Sequence, residues 1–511
     1  MTVRRPTLEQ FLDIADGLGM SLSDRETQIF MENFDATCAA YDLIDQTPDY
    51  LPEVKYPRKT GFRPNPEDNP YNAWYWKTEV QGADSGPLKG KNIVLKDNVS
   101  LAGVPMMNGA STLEGYVPEI DATVATRILD AGGTIVGKAV CEYFCLSGGS
   151  HTSSPLPVIN PHKPGYSAGG SSSGSAVLVS IGEVDMAIGG DQGGSIRMPA
   201  AYTGIYGMKP THGLVPYTGI MPIESTIDHT GPMTGTVEDN ALLLEAIAGE
   251  DGMDPRQYSV KTAKYTDALG KGVSGLKIGV VKEGFGHENS ETDVDEKVRT
   301  GAKLFEKMQA TVEEISIPMH LMGPAIWTPI AIEGLHWQMM LGNGFGMNWK
   351  GFYSTSLMDR HAQWRARPDE LSATLKLCMF MGEWFIKKYN GRFYGKAQNL
   401  SRKLRETYTK VLQEYDLLLM PTLPLKATKL PEPNSEVDEI IARGLEMLTN
   451  TSPFDVTGHP SMSIPCGMED GRPIGLMLTS KHFDETTIYR AAHAFEQAGD
   501  WKSCEFDGCS C

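Results

Sequence analysis

The chain has 511 residues, of which 41% are hydrophobic and 22% charged, and its formal net charge is −18. That length exceeds one simple core and predicts two or three domains, or one large α/β domain with additions. The acidic balance disfavours nucleic acid and anionic membrane as partners, and no apolar run approaches the span of a bilayer.

The N-terminus, MTVRRPTLEQF, carries two arginines but no apolar segment, so it does not read as a secretory signal. Eight cysteines are sparse for this length and suit a reducing cytoplasm. Cys504, Cys509 and Cys511 cluster at the tail without a companion histidine pair, and read as tail thiols rather than a metal site.

Residues 1–80 are expected to form a helical N-terminal extension. Thr7 with Gln10, and Ser23 with Glu26, have the spacing of capping boxes, and Phe11, Ile14 and Leu18 recur at helical spacing. From Thr47 to Tyr71 the chain is proline-rich and polar, which predicts an extended linker or wrapping arm. An α/β pattern starts near Leu88. Asn92-Ile93-Val94-Leu95 reads as a strand ending at Lys96-Asp97-Asn98, Asp121–Asp130 as a helix, and Thr134-Ile135-Val136 as a second strand. This rhythm argues for a sheet covered by helices.

Gly132–Lys138 matches most of a phosphate-binding loop, but Ala139 stands where Ser or Thr is required, and the glycines precede the strand. His151 and His162 lie in a loop-rich stretch and read as polar residues that fix loops. Further on, Gly275–Val281 reads as a strand and residues 318–412, rich in Met and aromatics, as a helical subdomain. Tyr415–Thr422 returns to buried strand, and Ile488–Gln497 is a closing amphipathic helix. The division expected is 1–80 for the extension, 81–260 for the first part of a large core, 261–412 for a smaller subdomain and 413–511 for the rest of the core.

The most informative stretch is Gly165–Pro199, GYSAGGSSSGSAVLVSIGEVDMAIGGDQGGSIRMP. It joins two Gly/Ser clusters, Gly169–Gly174 and Asp191–Ser195, through an apolar run. Rows of glycine amides form nests for negative charge, and a serine at the end of such a row is where nucleophile and oxyanion hole are built together. Either cluster alone reads as an ordinary turn. Gly165-Tyr166-Ser167-Ala168-Gly169 is formally a nucleophile elbow, but Pro161 and Pro164 occupy the place of the strand it needs.

With both clusters and Ser195-Ile196-Arg197 in one segment, the chain closely resembles the amidase signature family, serine hydrolases that cleave amide bonds. The likeness runs from about Leu88 to Lys209 and resumes in the last hundred residues. It implies an α/β fold: a large mixed β-sheet covered by helices on both faces, with the N-terminal extension and a smaller inserted subdomain. By motif position it implies Ser195 as nucleophile, Ser171 as bridging serine after a cis Gly170–Ser171 bond, and Lys96 as base. Gln192, Gly193, Gly194, Gly169 and Gly170 are then the oxyanion and substrate-binding residues. The reaction needs no metal and no cofactor, and its partner is a small-molecule amide.

Such a base must be uncharged at rest. Lysine ordinarily titrates near 10.4, so the amine must be desolvated and free of a carboxylate partner. Alternation along the strand turns Asp97 to the other face. Gln192 departs from the family's usual Thr or Ile, and its side chain is suited to bonding a substrate amide. That favours small aliphatic or aromatic primary amides, as in the bacterial nitrile-pathway amidases. Asp191 and Arg197 read as holding the loop by hydrogen bonds. The alternative within the family is the amidase subunit of glutaminyl-tRNA amidotransferase; a fatty-amide hydrolase would need an anchor. Outside the family, the nests suit a phosphate-binding module. The family also implies a homodimer through the N-terminal helices, and the cysteine usage a cytoplasmic protein.

Overall fold

The computed structural model describes residues 3–502 and the backbone of residues 505–506. Cys504, Cys509 and Cys511 lie outside the described residues. The chain forms two compact units, Met1–Glu53 and Val54–Cys511.

The first unit holds α1 (Leu8–Gly17) and α2 (Asp24–Gln46), each opened by a capping box, Thr7 with Gln10 and Ser23 with Glu26. Each box satisfies backbone donors that a helix start leaves bare. Arg5 ties the hairpin together by pairing with Asp42 at 2.6 Å and Asp35 at 3.1 Å.

The second unit begins with the proline-rich arm, which lies along the sheet edge. Phe62 bridges to Lys77, Trp76 Nε1 donates to the Thr60 carbonyl at 2.6 Å, and Arg58 pairs with Asp121 at 2.5 Å. The strands of the large sheet are β1 (Trp74–Gln81), β2 (Asn92–Lys96), β3 (Thr134–Ala139), β4 (Met186–Asp191), β5 (Tyr206–Lys209), β6 (His229–Thr234), β7 (Lys277–Val281), β8 (Thr311–Ile315), β9 (Leu417–Pro421), β10 (Ser461–Glu469) and β11 (Arg472–Thr479). All eleven join one sheet in the order β1-β3-β2-β4-β6-β5-β10-β11-β9-β7-β8. Strand β2 runs parallel to β3 and β4, and β7 to β8 and β9, while the remaining pairs are antiparallel. The sheet is therefore mixed.

Helices cover both faces. Ile93, Leu95, Met186 and Ile188 share one core cluster with α3 (Thr123–Asp130), α6 (Val237–Ile247), α7 (Thr292–Lys307) and α14 (Glu485–Gln497). Val94, Ala139 and Ala187 face the opposite way, against α4 (Ser173–Ser180) and α5 (Arg197–Thr203). Farther along that face, Leu418, Met420 and Met477 meet α8 (Gly323–Gly334), α11 (Arg392–Val411) and α13 (Ser452–Thr457). Helices α9 (Thr355–Ala362), α10 (Ala373–Tyr389) and α12 (Val437–Leu445) complete the unit. Strands buried on both faces read as continuous apolar runs, as β2, β4 and β9 do. Among the described residues, no helix is long and apolar enough to cross a membrane.

Candidate active site

Three chain segments meet at one edge of the sheet. Strands β2 and β4 are parallel neighbours, so their C-terminal ends, Lys96 and Asp191, emerge together. Crevices at strand C-termini are where open α/β sheets commonly place sites. The loop before α4 brings Ser171 over the same edge, and the loop from β4 to α5 carries Gln192 to Ser195.

Lys96 is fully buried. Its Nζ donates to Ser171 Oγ at 2.8 Å and to the Gly190 carbonyl at 3.3 Å. Among the described residues its amine joins no ion pair. Asp97 sits on the opposite face, beside Lys138, and pairs with that side chain at 2.9 Å. The backbone N–H groups of Met107 and Asn108 also donate to Asp97, at 2.9 and 2.8 Å. The pairing also accounts for the lysine of the phosphate-loop-like stretch, which is a buried ion-pair partner.

The Gly170–Ser171 bond is cis. Ser172 N–H donates to the Ser195 carbonyl at 3.3 Å, which ties the two Gly/Ser clusters together. Among the described residues no hydrogen bond joins the Ser171 and Ser195 hydroxyls. Ser195 lines an apolar cavity with Gln192, Gly193, Trp327, Ile227 and Leu448.

Asp191 organises the loop around Ser195. It accepts from the N–H groups of Gly194 at 2.6 Å and Ile196 at 3.0 Å, and from Arg197 Nε and Nη2 at 3.0 Å each. Burial alone would raise this carboxyl, but the Arg197 charge outweighs it and holds Asp191 well below the usual carboxylate range. Arg197 Nη2 also donates to Asp455 at 2.8 Å. Burial and the neighbouring Asp191 charge push Asp455 well up.

The amides implied for the oxyanion hole are thus not equivalent. Gly194 N–H is taken by Asp191, and Gly169 N–H donates to Ser167 Oγ at 3.0 Å. Among the described residues the N–H groups of Gly193 and Ser195 have no protein acceptor. Gly170 lies behind the serines, where an added Cβ would meet Glu142 and the Ser147 carbonyl at 2.8 Å. Gly194 has φ +133, a region side-chain-bearing residues avoid.

Two residues that sequence reasoning missed hold this loop from outside. Trp327 Nε1 donates to the Gln192 carbonyl at 2.7 Å, and Thr451 Oγ1 to the Gly193 carbonyl at 2.6 Å. Gln192 Nε2 donates to Tyr217 OH at 2.8 Å, whereas its Oε1 is buried without a hydrogen-bond partner. Trp327, Thr451 and Asp455 lie more than a hundred residues from the clusters they brace, and nothing local marks them. The alternative serine, Ser167, is buried and donates to the Gly149 carbonyl at 2.9 Å. His151 and His162 bond the carbonyls of Ile440 and Thr203, at 2.9 Å each.

The amidase family profile matches residues 66–489. An enantioselective amidase from Rhodococcus rhodochrous is 44% identical over 499 residues, covering 96% of each chain. A glutamyl-tRNA(Gln) amidotransferase subunit from Exiguobacterium sibiricum is 38% identical over 421 residues, covering 82% of this chain and 86% of its own. Among solved structures, the peptide amidase of Stenotrophomonas maltophilia superposes with a TM-score of 0.67 at 26% identity, covering 83% of this chain and 85% of its own. The chain belongs to the amidase family, the amidase signature enzymes, and is a hydrolase of amide bonds.

Proposed function

We propose that the chain hydrolyses small aliphatic or aromatic primary amides to acid and ammonia, through an acyl-enzyme on Ser195. The observation that carries this reading is the buried Lys96 amine, 2.8 Å from Ser171 Oγ and outside every described ion pair. A serine hydroxyl is a poor nucleophile until a base takes its proton. In its uncharged form Lys96 accepts the Ser171 proton while Ser171 accepts that of Ser195. Ser195 Oγ then attacks the amide carbonyl. The unoccupied N–H groups of Gly193 and Ser195 are the donors for the oxyanion. Lys96 returns its proton through Ser171 to the leaving nitrogen, and water repeats the relay on the acyl-enzyme.

Two features support the substrate class. The cavity lining carries no charged side chain among the described residues, which suits an uncharged acyl group. Gln192 Oε1 is a buried acceptor without a donor, and a substrate NH2 supplies one. The likeness to amidotransferase subunits favours a second reading, the glutaminyl-tRNA amidotransferase amidase. Free glutamine brings two charged groups that this lining leaves unmatched. The test is ammonia release from benzamide, isobutyramide and glutamine by the isolated chain, with fluorophosphonate labelling mapped by mass spectrometry. Labelling of Ser195, turnover of the first two and indifference to glutamine are expected; turnover of glutamine alone would reverse the choice. A cytoplasmic homodimer belongs to the same reading. Cysteine usage supports the compartment and exposed apolar side chains on α1 and α2 support the association; sedimentation measures it.

A further inference from the structure

One chemically active group in the cavity has no part in that cycle. Cys145 lines the same cavity as Ser195, Gln192 and Gly193. It follows Phe144 in a tight turn where both residues are left-handed, φ 46 and φ 60. Side-chain-bearing residues seldom adopt that conformation, and strain of this kind concentrates at functional sites. The Cys145 and Cys141 thiols both donate to Asn108 Oδ1, at 3.2 Å each. Asn108 is itself fixed by its N–H bond to Asp97 at 2.8 Å.

The two thiols differ. Burial pushes Cys141 well up. Burial also opposes ionisation of Cys145, but the Cys141 thiol and the positive charge that Lys96 carries when protonated outweigh it and bring Cys145 down to about 7. A thiolate is a soft nucleophile, and a neighbouring ammonium favours it. The ligand class follows from what else the cavity offers. Gln192 Oε1 and the amides of Gly193 and Ser195 suit a carboxamide, and the carboxamides that carry a soft electrophilic carbon are those conjugated to an alkene.

We propose that Cys145 is a second nucleophile in this cavity, alkylated by α,β-unsaturated primary amides at their β-carbon. In its uncharged form Lys96 takes the thiol proton and becomes the ammonium that favours the thiolate. The sulfur lone pair forms the S–C bond to the β-carbon, and the alkene electrons move to the α-carbon and carbonyl oxygen. The proton held by Lys96 then closes the α-carbon. The product is a thioether: the S–H and alkene π bonds break, the S–C and α-C–H bonds form, nothing leaves, and no oxidant or reductant is needed. The adduct fills the cavity and silences Ser195. This rests on the amide-binding reading of the cavity but not on hydrolysis by Ser195.

The experiment incubates the full-length protein with acrylamide. It follows residual propionamide hydrolysis, intact mass, and the position of the adduct by peptide mapping. An acrylamide adduct on Cys145 is expected, with activity lost in step with it, slowed by saturating isobutyramide. The rate should rise about tenfold per pH unit and level off above about 7. Ser195→Ala should still be alkylated at Cys145, because addition does not need the serine. Cys145→Ser should gain no adduct, and its own rate, whatever its starting value, should no longer decay. If that variant does not fold, the wild-type map and the isobutyramide protection decide alone. Should propionamide go unhydrolysed while Cys145 is alkylated and protected, the hydrolytic reading falls and this one stands. A hydrolytically active protein with no adduct at Cys145, an adduct only on Cys38, Cys378 or Cys466, or no protection by isobutyramide overturns it.

Discussion

At the scale of single residues, the site depends on keeping opposite charges apart. Lys96 and Asp97 are chain neighbours, yet strand alternation sends one towards Ser171 and the other to Lys138. Lys96→Ala is expected to lower kcat on a primary amide by about 10³-fold or more while far-UV circular dichroism stays unchanged, since general-base assistance alone contributes about 10²–10⁴. Retained turnover would remove the lysine from the mechanism. Gln192→Leu deletes the buried acceptor at the cavity. Its kcat/KM on a primary amide should fall about 10–100-fold, corresponding to about 1–3 kcal/mol, and fall less on the matching methyl ester, which has no N–H to donate. Equal losses on both substrates would make Gln192 a brace for Tyr217 only.

At the scale of elements, the β4–α5 loop is aimed by its surroundings. Asp191 consumes the Gly194 amide, while α8 and the turn before α13 grip the carbonyls of Gln192 and Gly193 through Trp327 and Thr451. Among the described residues, the N–H groups of Gly193 and Ser195 are left facing no protein acceptor. Thr451→Val keeps the side chain's shape and removes the donor, so kcat should drop about tenfold with KM nearly unchanged, as for a group that matters mainly in the transition state. A matched rise in KM instead would mean that the loop had moved out of the binding cavity. The starts of α1 and α2 were readable from capping spacing, and β2, β3, β7 and β9 from apolar runs. The free and occupied amides were not, because that distinction depends on where a distant carboxylate and hydroxyl arrive.

At the scale of the whole molecule, the sheet buries charge where nothing but other charge can compensate it. Arg197 is fully buried between Asp191 and Asp455. Arg197→Met leaves a buried carboxylate without its partner and should cost about 3–5 kcal/mol, read by urea unfolding. Buried His361 supplies a pH test. Burial brings it down to about 4, against an unfolded value near 6.5. Between those values the unfolded chain holds a proton that the folded chain lacks, so the stability it contributes is present above pH 6.5 and lost as pH falls towards 4. His361→Gln should flatten the fall of unfolding free energy across that window by on the order of 3 kcal/mol. An unchanged slope would show that His361 ionises alike in both states.

By itself the amino-acid order determined the helical caps, the runs of buried strand, the paired Gly/Ser clusters and, through their spacing, the family. Those are properties of neighbours along the chain: a cap needs three residues, a strand about five, a nest of amides a handful of glycines. Tertiary structure alone decided that β2 and β4 lie side by side, that Asp97 turns to Lys138, and that Asp455, Thr451 and Trp327 close around the loop. It also brought Cys145 into the cavity with Ser195. Such contacts arise only when a sheet joins segments tens to hundreds of residues apart, and no local pattern encodes which distant side chain will meet a given carbonyl.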